Sequence, residues 1–225
     1  MMNRRIVASV IFLMCCTLFL IPGCEKKQEQ VAEKAQEGWV SLFNGKDLTG
    51  WIVMGEKKDG FIVEDGAIKW NGRGGWWLRS EKEYGNFILD LEYKVDPGAN
   101  SGIFIRCAEE GDPPYTGFEI QVLDSYGQEA GLHTAGSIYD VIAPSKEMSK
   151  PAGEWNQVTI TCNGSLVDVA MNGEKIITSD FSKLTDPIGK FSTPYAELPL
   201  KGYIGFQDHG NPVYYRNIRI KELPE

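Results

Sequence analysis

The stretch Phe87-Ile88-Leu89-Asp90-Leu91-Glu92-Tyr93 decides the fold class. Its strict alternation puts Phe87, Leu89, Leu91 and Tyr93 on one face, the pattern of a strand with one face in a core. The same reading extends outward to runs at Gly60–Val63, Gly102–Cys107, Gly117–Leu123, Gln157–Cys162, Leu166–Met171, Gly202–Gln207 and Val213–Ile220. Turn clusters separate them: Glu64-Asp65-Gly66, Asp96-Pro97-Gly98, Gly111-Asp112-Pro113-Pro114 and Asn172-Gly173. Asn172-Gly173, between two apolar runs, predicts a type I′ hairpin. Many short strands without a long helical pattern predict an all-β, single-domain jelly-roll sandwich over residues 39–225. The segment Tyr139–Pro151 reads as a surface loop.

The N-terminus has a different composition. Arg4 and Arg5 precede an apolar run from Ile6 to Ile21, broken only by Ser9 and Thr17. That run has the length of a signal h-region and falls short of the roughly 20 residues a spanning helix needs. Ile21-Pro22-Gly23-Cys24 then resembles a lipobox, predicting a signal peptide over 1–23, lipidation of Cys24 and a charged, flexible tether over 24–38. An uncleaved anchor, or an ordinary signal beside a bystander cysteine, are the competing readings. All three export the chain, and the lipidated reading places it at the cell envelope, periplasm-facing or at the cell surface.

Cleavage would take 23 basic residues to 21 against 31 acidic, a formal charge of −10. Such a balance argues against a nucleic-acid partner, whose phosphates need a basic footprint. Membrane attachment would rest on the acyl chains alone. Of the five cysteines, Cys15 and Cys16 leave with the signal and Cys24 is lipidated. Cys107 and Cys162 remain, able to pair in an oxidising compartment, though their apolar surroundings favour buried free thiols. No Cys or His spacing suggests zinc.

Polar residues inside apolar strands carry the chemical signal. In Phe118-Glu119-Ile120-Gln121-Val122-Leu123-Asp124, Phe118, Ile120 and Val122 face the core. Glu119 and Gln121 share the opposite face, roughly 7 Å apart. Asp124 has core-side parity and belongs at the strand end. Arg106 is a cation in an apolar strand, readable as an ion-pair partner for Glu119 or another acid. His209 follows Asp208 at the end of Tyr203–Gln207, where it can be oriented as a base. Trp76, Trp77, Tyr115, Tyr126 and Tyr139 offer aromatic surfaces of the kind sugars stack on, or simply fill the core.

Several motifs together resemble the 3-keto-disaccharide hydrolase family, also described as 3-keto-glucoside lyase/hydratase domains. They are Ser41-Leu-Phe-Asn-Gly-Lys-Asp-Leu-Thr-Gly-Trp51, Ala99-Asn-Ser-Gly102 with Arg106, Glu119-Ile-Gln-Val-Leu-Asp124 and Gly136-Ser-Ile-Tyr139. Pro151-Ala-Gly-Glu-Trp-Asn156 and Gly205-Phe-Gln-Asp-His-Gly210 with Arg216-Asn-Ile218 continue them in the family's order. Ser137 departs from the pattern, standing where Ala is common.

The resemblance implies a concanavalin-like jelly roll that cleaves glycosides already oxidised at C3. A C3 ketone acidifies the C2 proton and leaves the C1 substituent beta to the carbonyl. A base removes the proton, the aglycone departs, and water adds back: net hydrolysis by elimination and hydration. Direct hydrolysis instead needs two facing carboxyls about 5–5.5 or 6.5–9.5 Å apart, and the opposite parity of Glu119 and Asp124 does not supply them. On this reading Glu119 or His209 is the base, and Arg106 or a bound divalent ion steadies the enolate. Gln121, Asn100, Gln207 and Tyr139 bind the sugar, and Asp124 orients a partner. No oxidoreductase fingerprint is present, so a separate glycoside 3-oxidase must make the substrate. The alternative is a non-catalytic, lectin-like lipoprotein using the same face to bind intact glycan.

Overall fold

The computed structural model describes residues 37–73 and 76–224. The signal segment 1–23, Cys24 and the tether up to residue 36 lie outside the described residues. Among the described residues thirteen strands form: β1 (Trp39–Ser41), β2 (Trp51–Val53), β3 (Phe61–Glu64), β4 (Ala67–Trp70), β5 (Trp77–Tyr84), β6 (Phe87–Val95) and β7 (Asn100–Cys107). They continue with β8 (Phe118–Leu123), β9 (Asn156–Asn163), β10 (Leu166–Met171), β11 (Glu174–Asp180), β12 (Gly202–Gln207) and β13 (Val213–Glu222). The only α-helix among the described residues is the single turn α1 (Pro113–Thr116), with 3-10 turns at Phe181–Lys183 and Tyr195–Glu197.

The strands make two antiparallel sheets. One has eight strands in the order β11-β10-β9-β6-β13-β4-β3, with β1 also paired to β13. The other has five, in the order β2-β5-β12-β7-β8. The all-β sandwich expected from the alternation is what forms, as a single domain. Phe87, Leu89, Leu91 and Tyr93 point between the sheets and are buried, meeting Ile103, Ile105, Phe118, Ile120 and Val122 from the five-stranded sheet. Each such side chain contributes about 1.5–3 kcal/mol by leaving water. The outward positions of β6 bind their neighbours: Asp90 accepts from Gln157, Thr159 and Arg219, and Glu92 accepts from Arg216 and Asn217.

The hairpin between β10 and β11 has positive φ at both Asn172 and Gly173, as a type I′ turn requires. Cys107 and Cys162 are free, buried thiols. Cys107 lies outward of the five-stranded sheet with Trp77 and Phe104, whereas Cys162 belongs to the core between the sheets. The opening motif is a structural turn. Asn44 Oδ1 accepts from the backbone N–H groups of Lys46 and Asp47, Asp47 accepts from Thr49, and Trp51 Nε1 donates to Leu42 O.

Candidate active site

The outer face of the five-stranded sheet is where outward-pointing polar residues become buried. Pairing across β12, β7 and β8 aligns them in rows. Beyond β8, the segment Gly136–Tyr139 adds further backbone hydrogen bonds: Gln121 N–H donates to Ser137 O, and Tyr139 N–H donates to Glu119 O. Ile120 bridges Ile138, so Gln121 stands opposite Ser137 and Glu119 opposite Tyr139. One row therefore runs Trp77, Gln207, Gly102, Gln121, Ser137. The next runs Arg79, Gly205, Phe104, Glu119, Tyr139.

Two glycines shape this floor. A Cβ on Gly102 would fall on the Glu119 carboxylate, so the missing side chain lets that carboxylate lie across β7. A Cβ on Gly205 would lie 2.5 Å from the Trp77 ring. Trp77 fills that space and meets Phe104 edge-on, ring centroids 5.9 Å apart. Burial without an ion pair pushes the Glu119 carboxyl up to about 7, partly countered by Lys190. Gln121 is also buried and donates from Nε2 to Asn100 Oδ1 at 3.2 Å.

The end of β12 is fixed from beneath. Trp51, Phe206 and Tyr215 stack in sequence through the core. Tyr215 donates to Ser101 Oγ, which donates to Gln207 O. This chain accounts for Ser101 in the Asn100-Ser101-Gly102 motif and anchors the start of the Asp208-His209 loop. Burial pushes Asp208 up to about 6. His209 is exposed, and no hydrogen bond joins it to Asp208 among the described residues.

Two expected site residues are used elsewhere. Arg106 was expected as an ion-pair partner for Glu119 or another acid, or as the cation that steadies the enolate. Instead β7 carries an extra residue against β12, and Arg106 takes φ +55°. This bulge turns the side chain away. The buried guanidinium donates to Gly85 O, Gly164 O and Asn86 Oδ1 at the turns beside the core. It makes no ion pair with Glu119. Asp124 accepts from Gly98 N–H at 2.9 Å, so the group it orients is the Asp96–Ala99 turn. Trp77 is fully buried, leaving Trp76, Tyr115 and Tyr126 as the exposed aromatics among those expected to meet sugar. Among the described residues, no three His, Cys, Asp or Glu side chains cluster as metal ligands.

Three further groups border the floor, none of them assigned a role from the sequence. Lys190 places Nζ 4.6 Å from the Tyr139 ring centroid and 5.5 Å from those of Tyr115 and Phe191. His133 Nε2 lies 3.0 Å from Asp140 Oδ1, and its ring packs on Tyr139. The Ser137 hydroxyl, beside Gln121, is buried without a partner. Lys190 lies in a segment with no periodicity, so nothing local in the sequence signals its position; Ser137 did stand out, as a departure from the family pattern.

Residues 38–221 match the family described as the 3-keto-alpha-glucoside-1,2-lyase-like domain. The chain belongs to this 3-keto-alpha-glucoside-1,2-lyase-like family. A 3-keto-disaccharide hydrolase of Bacteroides thetaiotaomicron is 32% identical over 83% of this chain and 79% of its own. A candidate glycosyl hydrolase from Parabacteroides distasonis, known from a crystal structure, is 32% identical. It superimposes with a TM-score of 0.73 over 82% of this chain and 99% of its own. A family-16 endo-β-1,3(4)-glucanase shares the sandwich alone, with a TM-score of 0.51 at 9% identity, over 82% of this chain and 91% of its own. The motifs of the 3-keto-alpha-glucoside-1,2-lyase-like family thus divide here into those that shape the floor, such as Ala99–Gly102 and Glu119–Asp124, and those that only hold turns, such as Asn44–Thr49.

Proposed function

We propose that this chain cleaves 3-keto-glycosides by taking the C2 proton onto Glu119, expelling the C1 aglycone and admitting water to the resulting enone. The observation that carries the reading is the Glu119 carboxyl: buried, unpaired, lying over Gly102 in the middle of a polar floor, and pushed up to about 7. A base of that strength at neutral pH is matched to abstraction of a carbon acid's proton. Lysing an unmodified glycoside needs a second facing carboxyl, and neither row beside Glu119 contains one. Gln121, Asn100 and Gln207 supply amides for sugar hydroxyls. Asp208 and His209, at the rim beyond Gln207, provide the acid for the leaving oxygen.

Kinship with a 3-keto-disaccharide hydrolase supports the same substrate class. The reaction requires a separate glycoside 3-oxidase upstream. Lipidation at Cys24 would hold the domain at the cell envelope, where glycosides arrive.

The test offers the full chain a 3-keto-glucoside and the unmodified glucoside in D2O. Only the keto compound should be consumed, with deuterium appearing at C2 of the product. Consumption of both at equal rates, or no loss of the keto compound under any metal condition, overturns the proposal. Glu119→Gln should lower kcat by at least about 100-fold; an unchanged rate would reassign the base while leaving the reaction intact.

A further inference from the structure

We propose that Lys190 is the cation that steadies the oxygen on C3 while Glu119 holds the C2 proton. The inference rests on the elimination reading above and deepens it. That chemistry needs a donor aimed at the developing enolate, and the bulge at Arg106 removes the guanidinium from this face.

Lys190 meets the requirement in three ways. Its Nζ stands over the ring of Tyr139, the residue directly opposite Glu119 in the sheet row, so ammonium and carboxylate look onto the same part of the floor. Its backbone is fixed: Lys190 N–H donates to Asp140 Oδ2 at 2.7 Å, while the other Asp140 oxygen is engaged by His133. Its charge is uncommitted, since no carboxylate lies within ion-pair distance of Nζ among the described residues. The aromatic faces of Tyr115, Tyr139 and Phe191 hold the cation without neutralising it.

In the step itself Lys190 forms no bond to carbon. Glu119 takes the C2 proton and the electron pair passes into C2–C3, loading O3 with negative charge that the ammonium meets by hydrogen bonding. The pair then returns to form C1–C2 as the C1–O bond breaks, and the aglycone leaves with a proton given by the acid at the Asp208-His209 rim. A preorganised donor of this kind is worth about 100–1,000-fold in kcat.

The test compares Lys190→Met, Lys190→Gln and Lys190→Arg in the full chain on two probes. One is a 3-keto-glucoside. The other is a 1,5-anhydro-3-keto sugar, which has no aglycone to expel and reports C2 hydrogen exchange into D2O. Because Lys190 is exposed, all three variants should melt with the wild type. Met and Gln should lose about 100-fold in kcat and in exchange with KM changed only a few-fold, and Arg should recover most of the loss.

A second readout is the pH profile. Lys190 and Asp112 are the charges that act on Glu119, while Cys107, Tyr195 and, from the core side of the sheet, Tyr215 feel its charge in turn. Lys190 is the cation among them, so its removal should move the acid limb of kcat/KM upward in pH, and Arg should leave it in place. Met and Gln variants within about threefold of wild type on both probes, with an unmoved limb, overturn the role of Lys190 and leave the reaction standing. A wild-type chain that neither turns over nor exchanges overturns both.

Discussion

At the scale of single residues, the site depends on side chains that are absent as much as on those present. Gly102 has no Cβ, and that space is taken by the Glu119 carboxylate. Gly102→Ala should therefore displace the base while β7 keeps its pairing. The expected outcome is a kcat loss approaching that of Glu119→Gln with a small change in melting temperature, read by steady-state kinetics beside a thermal scan. Glu119 also sets a pH dependence of stability. Its folded pKa is raised, from 4.5 to about 7, so the folded state binds more protons than the unfolded state between those values. The contribution of Glu119 to stability is full below about pH 4.5 and is lost as pH rises through 7. Glu119→Gln should remove that decline, raising stability at pH 8 by on the order of 3 kcal/mol in urea titrations while lowering kcat at least about 100-fold. Strand alternation made the shared face of Glu119 and Gln121 legible. Nothing in it revealed the cradle at Gly102, because a missing Cβ matters only once a neighbouring strand is known.

At the scale of elements, one extra residue in β7 decides what Arg106 does. Alternation assumes an unbroken pleat, and a bulge reverses parity beyond it. Gly102–Cys107 carries no local sign of the irregularity, so the turn of Arg106 away from Glu119 is visible only in the paired sheet. Its guanidinium joins the turns at Gly85–Asn86 and Gly164, so Arg106→Met leaves buried carbonyls unpaired. We expect a loss of about 3 kcal/mol in chemical denaturation, with kcat per folded molecule within about threefold of wild type. A large kcat loss in a fully folded variant would return Arg106 to the site. Strand β5 was missed for a related reason. Arg79 and Ser80 are buried inside it, next to the exposed run Glu81-Lys82-Glu83, and no simple alternation survives that mixture. The β10–β11 hairpin was legible because Asn172-Gly173 encodes its own positive φ angles.

At the scale of the whole molecule, the two sheets divide the labour. The eight-stranded sheet wears its polar residues in neutralising networks such as Asp90 with Gln157, Thr159 and Arg219. The five-stranded sheet leaves an unpaired acid in place. The same layering separates the thiols, Cys107 outside one sheet and Cys162 between the two, and burial holds both thiols well above their ordinary range, Cys162 at about 12. Neither should react with a disulfide reagent in the native protein, and both should react together on unfolding, as thiol titration with and without denaturant would read. Class and layering were accessible from sequence because alternation reports which face is buried. The close of the five-stranded sheet was not, because Gly136–Tyr139 meets β8 only through tertiary contact.

That last pairing has a consequence for solubility. Strand β8 ends its sheet, and an open edge of this kind is a template on which other chains can add as further strands. Gly136–Tyr139 occupies part of that edge, and the opposite edge is only the three-residue β2. The segment that carries Tyr139 into the site is thus also a guard against aggregation. Loop exchanges meant to retune the site around Tyr139 would uncover the Glu119–Gln121 edge, and the first sign of failure would be turbidity rather than slow turnover.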